Sequence, residues 1–302
     1  YSNTQSYEEM VFLTSGAGAE VASPGVLQNM VPKQGGNEMH GAINWVYSNR
    51  DWQGDDLTPE LIAKGLTQGN SLYALGNLEG GVGGKFIQDR MWWYSAARRQ
   101  YAYNQIPDTQ YPDGSPGISE DTVKNLSLRL TGQLTSKHKI TAYVDRVSKE
   151  IGHDMQAGYD PVTASRVWEP SKLYQQAQAK WTSTMSNSLL LEVGYAQYQA
   201  YRHTTYQPGI EPPYGTSEWY ARAVHVDSST GKTWVAAPGG NYYLMPTRKF
   251  FSGIGSYVTG SHNMRFGVQN NWGFLEQGTT LNGARRQTYQ NLVPVSVQVY
   301  NT

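Results

Sequence analysis

The histidines are the first residues to test for chemistry, because imidazole is a common metal ligand and general base. They stand at His40, His138, His153, His203, His225 and His262. No pair has the His-Glu-x-x-His spacing, or another close spacing, that brings two ligands to one metal. We interpret them as structural or surface residues, and the sequence predicts no metal site.

Three further patterns resemble catalytic or ligand-binding motifs, and each is incomplete. The glycine-rich run 79–84 resembles a phosphate cradle, but an aromatic strand follows it where a P-loop has Lys-Ser/Thr and a helix. Three acidic turns lack the alternating spacing of a calcium loop; they are Asp55-Asp56, Asp113-Gly114 and Asp160-Pro161. The sequence has no Gly-x-Ser-x-Gly elbow and no cysteine, so a nucleophilic hydrolase or a thiolate site has no support. We predict no enzyme activity and no cofactor.

Aromatic side chains between the candidate strands are the best candidates for ligand contact. Exposed rings suit flat or amphipathic solutes such as sugars, siderophores or peptides. The alternative is that these rings pack against one another and cover a barrel mouth. The residues that we select as ligand-binding are Trp52, Tyr111, Trp168, Tyr214, Trp219, Tyr220, Trp234 and Tyr242.

Ten segments show the period-two alternation of strands that have one apolar and one polar face. In the first, Ile43, Trp45 and Tyr47 share one face, whereas His40 and Asn44 share the other. The predicted strands cover approximately 39–48, 72–84, 91–101, 124–134, 139–149, 172–181, 189–200, 248–258, 264–276 and 289–301.

The connections between these segments alternate in length. Short turns are predicted at 86–90, 135–138, 182–188 and 259–263, and long connections at 49–71, 102–123, 150–171, 201–247 and 277–288. Outer-membrane barrels have short turns at the periplasmic rim and long loops outside, whereas a soluble sandwich has no reason to alternate them. The pattern predicts an all-β fold, an antiparallel transmembrane β-barrel segment of about ten strands.

The charge balance excludes one class of partner. The chain has 24 basic and 24 acidic residues and a formal net charge of zero. A nucleic-acid-binding protein needs an excess of positive charge to neutralise phosphates. We therefore expect no nucleic-acid partner.

Residues 1–38 have a different character from the strands and carry the first family resemblance. The residues that carry it are Ala19-Glu20, Ser23-Pro24-Gly25, 29–37 and Met39-His40-Gly41. Together they resemble the end of the plug domain and the start of the barrel in TonB-dependent outer-membrane receptors, most closely the Oar-like branch. We accordingly assign residues 1–38 to the C-terminal part of a plug and 39–302 to the N-terminal part of the barrel.

A second match follows in the same order along the chain. It consists of the glycines at 80–84, Lys85, Ile87, Asp89-Arg90 and the aromatic run 91–94, with Phe86 where the family usually has proline. The closing segment 293–302 is also similar to the family. The resemblance implies a plug inside a barrel of about 22 strands, a bacterial outer-membrane location, and a periplasmic TonB-type energy-coupling protein as partner.

The resemblance also implies a functional role for the plug-to-barrel transition. Its residues are Glu20, Lys33, Gly35, Gly36, Asn37, His40 and Gly41. Lys33 and Glu20 are expected to form buried polar contacts that hold the plug until force is applied. Inward-facing polar residues are expected to hydrate the barrel interior and contact the plug; they include Asn44, Arg129, Gln133, Gln178 and Asn270.

An isolated ten-stranded segment would leave two unpaired edges, which hydrocarbon does not tolerate. We therefore expect the first and last strands to pair with the remainder of the same barrel, and the coupling segment to lie upstream. The leading hypothesis is a fragment of a plug-gated receptor that binds an unknown solute at its outer loops and imports it. The alternatives are a structural or adhesive outer-membrane barrel and a soluble all-β carbohydrate-binding protein.

Overall fold

The computed structural model describes residues 3–14, 27–54, 57–64, 69, 71–170 and 174–300. These residues are mostly in strands. In chain order the strands are β1 Tyr7–Leu13, β2 Leu27–Pro32, β3 His40–Asn49, β4 Ser71–Ile87, β5 Met91–Gln110, β6 Pro116–Gln133, β7 His138–Asp154, β8 Ser165–Pro170, β9 Gln176–Thr184, β10 Leu189–Gln199, β11 Arg202–Thr205, β12 Val224–Asp227, β13 Thr233–Trp234, β14 Asn241–Thr259, β15 His262–Thr280, β16 Arg285–Gln290 and β17 Val293–Val299.

The helices in the described residues are short. Two are α-helices, α1 Pro59–Ala63 and α2 Ser217–Ala221, and single 3₁₀ turns cover Thr4–Ser6, Arg50–Trp52 and Asn282–Ala284. Thr58 and Thr216 cap the two α-helices through their side-chain oxygens, which accept amide protons that the first helical turn leaves unpaired. No helix in the described ranges has the length and apolar character needed to cross a membrane.

An antiparallel sheet of eleven strands dominates the described part of the chain. Strands β3 to β7 pair in chain order. One side of β7 pairs with β9 along 138–145 and with β8 along 148–154, so two short strands share one strand position. Strand β14 likewise pairs with β10 and β11 on one side and with β15 on the other.

The short turns lie together at one end of this sheet, which we call the turn end; the opposite end is the loop end. They connect β4 to β5, β6 to β7, β9 to β10 and β14 to β15, as the alternating connections predict. Strand β5 has 20 residues, about twice what a tilted membrane-crossing strand needs. The predicted long connection 102–123 is consequently in large part a continuation of β5 and β6, joined by a short turn after Gln110.

The sheet has two chemically different faces because successive side chains point to opposite sides. The inner face contacts the N-terminal element, which we define as residues 3–14 and 27–33. It carries buried polar residues such as Glu79, Asn125 and Ser127. The outer face carries exposed apolar residues, among them Trp45, Leu78, Leu126, Val144, Val193, Phe251, Phe266, Val268 and Phe274. This arrangement agrees with the predicted fold class.

Residues 206–240 and 281–300 form a second unit at the loop end, which we call the loop subdomain. Its sheet has the order β13-β12-β16-β17, with β12 parallel to β16. A small core of Tyr206, Ile210, Val224, Ala236 and Ala237 lies within it. The prediction that 289–301 forms the next barrel strand is wrong, because β17 pairs with β16, and β16 pairs with β12.

Strands β3 and β15 are the edges of the large sheet in the described chain, and each pairs on one side only. Both are exposed along almost their whole length. The segment therefore does not close on itself, and pairing of these edges with further barrel strands stays a prediction.

Candidate functional site

The N-terminal element is held against the inner face by a polar cluster centred on Glu79. Oε1 of this carboxylate accepts hydrogen bonds from Thr4 Oγ1 at 2.9 Å and from Asn44 Nδ2 at 3.2 Å. Arg98 Nε lies 3.8 Å from Oε2 and also donates to Asn77 Oδ1 at 2.8 Å. Glu79 is only 5% exposed, so its charge depends on these partners.

A second set of contacts continues along β5 and β6. The hydroxyl oxygens of Ser6 and Ser127 are 2.8 Å apart, and both residues are buried. Tyr94 donates from its hydroxyl to the carbonyl oxygen of Gln5 at 3.0 Å. The guanidinium of Arg129 donates to the carbonyl oxygen of Pro32. The element is thus attached to three neighbouring strands mainly by single hydrogen bonds.

Lys33 lies at the end of this element and is partly exposed. Its Nζ donates to Gln5 Oε1 at 3.4 Å and lies 6.0 Å from the ring centroid of Tyr94. Its amide donates to the carbonyl oxygen of Ser6 at 2.8 Å. Glu20, the acidic residue that we grouped with it, lies outside the described residues.

At Gly35 the chain passes very close to the backbones of β4 and β5. A Cβ at this position would overlap the carbonyl oxygen of Trp93 and lie 2.6 Å from that of Gly84. Gly36, the next residue, has no heavy atom within 4 Å of the same hypothetical position. The close approach therefore requires glycine at 35 and does not require it at 36.

Asn37 joins the transition segment to the turn between β4 and β5. Its Oδ1 accepts from the amide of Asp89 at 3.0 Å and from Trp92 Nε1 at 2.9 Å, and its Nδ2 donates to the Asp89 carboxylate. Asp89 has a positive φ of 58°, a turn conformation that Asn and Asp tolerate. His40 lies 6.1 Å from the Tyr94 ring, and a Cβ at Gly41 would approach the carbonyl oxygen of Gly81 at 2.6 Å.

A cavity of about 310 Å³ lies between β2 and the part of the sheet formed by β6, β7, β9, β10 and β14. On the β2 side it is lined by Met30, Val31 and Pro32, and on the sheet side by residues that include Arg129, Tyr143, Gln178, Lys180, Phe250 and Ser252. Lys180 pairs with Glu192 on the same face. The N-terminal element therefore contacts β4 to β6 closely and leaves space along the later strands.

A second cavity, of about 230 Å³, lies at the loop end. Its lining includes Asp154, Tyr159, Arg202, Thr204 and Tyr242. The guanidinium of Arg202 is 4.0 Å from Asp154 and 3.4 Å from Glu169. Burial raises the pKa of Tyr159, so its hydroxyl stays a neutral hydrogen-bond donor. The cavity offers charged, hydroxyl and aromatic groups within one small volume.

The selected aromatic residues do not form one site. Tyr242 lines the loop-end cavity. Three rings form a cluster around α2, with Tyr214–Trp219 and Trp219–Tyr220 centroids 4.7 and 5.0 Å apart. Trp234 packs in the loop subdomain against His225 and Tyr289.

The remaining selected rings lie elsewhere. Trp52 packs edge-on to Tyr47 at 5.6 Å, and the Tyr111 hydroxyl is 3.3 Å from His153 Nε2. Trp168 is in β8, Trp234 is in β13 and Tyr242 is in β14, so the prediction that these three residues lie in loops is wrong. Trp168 is 53% exposed, and it alternates with the fully buried Val167, so it points away from the inner face.

The predicted inner-face polar residues are placed mostly as expected. Asn44 and Arg129 reach the inner cluster, and Gln178 lines the inner cavity. Gln133 instead donates to carbonyl groups of the β6–β7 turn. Asn270 pairs with Phe251 and shares its outer face, so its inward assignment is wrong. Within the described ranges, no group of three His, Asp or Glu side chains is arranged to hold a metal.

Sequence reasoning missed Glu79, Tyr94 and Ser127 as partners of the N-terminal element. Glu79 precedes the glycines at 80–84, and together they resemble a phosphate cradle more than a contact with the N-terminal element. The signal that was available is parity: Glu79 occupies the same face of β4 as Gly81 and Gly83, whose missing side chains make room for the Tyr94 ring. Its contact with Thr4 spans 75 residues and has no local signature.

Comparison with known proteins rests on the architecture. No family model and no curated protein sequence matches this chain. The solved crystal structure of the outer membrane transporter YddB from Escherichia coli is similar to 90% of it, with a TM-score of 0.60 and 9% sequence identity. The fold is that of an outer-membrane transporter barrel. The chain spans 36% of the length of that transporter.

Proposed function

We propose that this chain is part of a plug-gated outer-membrane transporter that binds a solute at its loop end and imports it. The observation that supports this most directly is the polar attachment of the N-terminal element to the inner face. An apolar outer face suits lipid, and a polar inner face suits a hydrated passage. The fold resembles a transporter barrel.

The attachment is of a kind that force can undo in steps. Each inner-face contact is one or two hydrogen bonds, contributing about 1 kcal/mol net, or somewhat more where a charged group takes part. Most of β1 is exposed, and within residues 3–14 and 28–33 the buried residues are Asn3, Ser6 and Tyr7. Displacing the element therefore exposes little apolar surface. This suits a plug segment that moves while the barrel stays folded.

We propose the loop-end cavity as the place where solute first binds. It combines the Arg202 and Asp154 charges with the Tyr159 and Tyr242 rings, so it can orient a small polar solute by hydrogen bonds. A solute that leaves it along the inner face would next meet the 310 Å³ cavity beside β2. The loop-end edge of the sheet would then face the outside of the cell.

We further propose that a TonB-type protein supplies the energy through a segment upstream of this chain, and that the protein belongs to the Oar-like branch. Lys33 and the polar cluster around Glu79 would transmit the displacement to the transition residues. Support for the coupling is the resemblance of residues 19–41 and 80–94 to TonB-dependent receptors.

The experiment uses the absence of native cysteine in the chain. A Ser6→Cys variant carries one thiol between the N-terminal element and β6, where the residue is 3% exposed. We expect slow maleimide labelling in cells whose proton gradient is collapsed, and labelling at least ten-fold faster in energised cells. An Asn187→Cys variant, in an exposed turn, is the control and should label rapidly in both.

The adhesive alternative makes a different prediction for the same variants. A barrel that only binds other surfaces would label at Ser6→Cys at one slow rate, whether or not cells are energised. Exposed Tyr214 and Tyr220, at 72% and 47%, are the observation in favour of adhesion. Equal rates with and without the proton gradient would therefore reject energy-coupled import.

A further inference from the structure

Three exposed cations form a patch on the outer face of the large sheet. Arg99 of β5 is directly opposite Lys124 of β6, and Arg146 of β7 is opposite Leu126. Lys124 pairs with Ser148, two residues from Arg146, so Arg146 is its diagonal neighbour. Like charges at such positions repel one another. An anion placed between these cations would offset the repulsion.

The three cations of the patch differ from nearby cations in having no carboxylate partner. Arg98 pairs with Glu79, Lys149 with Asp121 and Arg166 with Glu150. Within the described ranges, Arg99, Lys124 and Arg146 have no carboxylate within ion-pair distance. All three side chains are exposed, so they are available to an external ligand.

The surroundings of the patch define the shape of that ligand. Towards the turn end, the same face continues as Leu126 and Leu128 on β6 and Val144 and Ile140 on β7, all exposed. Towards the loop end, Tyr101 is the next residue of β5 after Arg99 on this face, and its ring centroid lies 5.3 Å from that of Tyr103. The cations thus lie between an apolar surface and an aromatic pair, the position of the lipid–water interface in outer-membrane barrels.

We propose that Arg99, Lys124 and Arg146 bind the phosphate groups of an anionic lipid in the outer leaflet, with its acyl chains along Leu126, Leu128 and Val144. Guanidinium groups match phosphate oxygens with paired charge-assisted hydrogen bonds. An ordered phosphate would relieve the repulsion between the opposed cations. This inference rests on the proposed outer-membrane location and does not depend on import.

The test is native mass spectrometry of the intact, detergent-solubilised protein titrated with bisphosphorylated lipid A. We expect Arg99→Gln/Lys124→Gln/Arg146→Gln to lower the affinity at least ten-fold, and Lys124→Gln alone to lower it several-fold. Lys249→Gln is the matched control, because Lys249 is opposite Trp272 on the outer face and has no neighbouring cation on that face. It should bind lipid A as the unaltered protein does.

Two further arms separate the lipid from a free anion. Lipid A without its phosphates should bind as weakly to the unaltered protein as lipid A binds to the triple variant. Inorganic phosphate at millimolar concentration should not displace the bisphosphorylated lipid. Equal lipid affinity of the triple variant and the unaltered protein, or displacement by inorganic phosphate alone, would overturn the proposal. Because the assay is done in detergent, its failure leaves the labelling result at Ser6→Cys intact.

Discussion

The N-terminal element and the loop subdomain are both attached to the large sheet, but by different means. The element is hydrogen-bonded to the sheet through Thr4, Ser6 and Pro32 and has few buried apolar groups. The loop subdomain has an apolar core around Ile210 and Val224. Hydrogen bonds to the inner face can be replaced by hydrogen bonds to water when the element moves. The burial of apolar side chains in a core has no such replacement, because exposing them to water costs free energy. We therefore expect the element to be displaced more easily than the subdomain is opened.

The subdomain also fixes its turns through one buried carboxylate. Asp227 is fully buried and accepts from the amides of Leu292, Ser229 and Thr230 at 2.6, 2.9 and 3.2 Å. Tyr206 accepts from the amide of Asn282 at 3.1 Å, and burial raises the pKa of Tyr206 to about 12. The Asp227–Leu292 and Tyr206–Asn282 bonds join residues that are 65 and 76 positions apart, so the subdomain should open as one unit.

The largest effect is expected at Gly35. A valine there must displace the backbone of β4 or β5, because its Cβ would meet the carbonyl oxygens of Trp93 and Gly84. Overpacking of this kind costs about 3 kcal/mol, which corresponds to roughly hundred-fold faster labelling of Ser6→Cys. Gly36→Ala is the control and should leave the rate within about two-fold. Similar rates for both variants would mean that the transition does not hold the element.

The next effect in size concerns the subdomain core. Ile210→Ala removes buried methyl groups and should destabilise the subdomain by about 2 kcal/mol. The measurement is the rate of proteolytic cleavage within 206–240, with exposed Ile62→Ala of α1 as the control. Labelling at Ser6→Cys should not change. If Ile210→Ala accelerated proteolysis and Ser6→Cys labelling equally, the loop subdomain and the N-terminal element would open together. The proposed difference between the two regions would then be wrong.

The faces of the strands could be predicted from the sequence because alternation is local. Trp45 and Asn44 are on opposite faces as expected, and Arg129 reaches the N-terminal element. Asn270 was misassigned because a single amide residue lies within an outer face otherwise formed by Trp272, Phe274 and Val268. The position of residue 270 in the alternation along β15 predicts the face of its side chain more reliably than the polarity of asparagine does.

The loop end could not be predicted in the same way. Segment 289–301 alternates like a barrel strand, yet its partner is β16, and β16 pairs with β12 about 60 residues earlier. Trp168 was assigned to a loop because β8 and β9 share one strand position beside β7, and a break of this kind leaves no periodic signal. Both outcomes depend on long-range pairing, which local periodicity does not encode.

The smallest effect at neutral pH concerns Asp227. The amide of Leu292, followed by those of Ser229 and Thr230, holds the pKa of this carboxyl below its usual value of 3.8. A lowered carboxyl pKa stabilises the folded form above the unfolded pKa, near 4, and this stabilisation is lost as the pH falls through the lower folded pKa. Burial, together with Arg285, lowers the pKa of His225, which also destabilises the folded subdomain as the pH falls below about 6.5.

Hydrogen exchange of the Leu292 amide should be constant from pH 8 to 7 after correction for intrinsic rates, rise modestly towards pH 5 and rise steeply below pH 4. Asp227→Asn should remove the steep part alone, and a steep rise that persists in this variant would assign the acid sensitivity to another group.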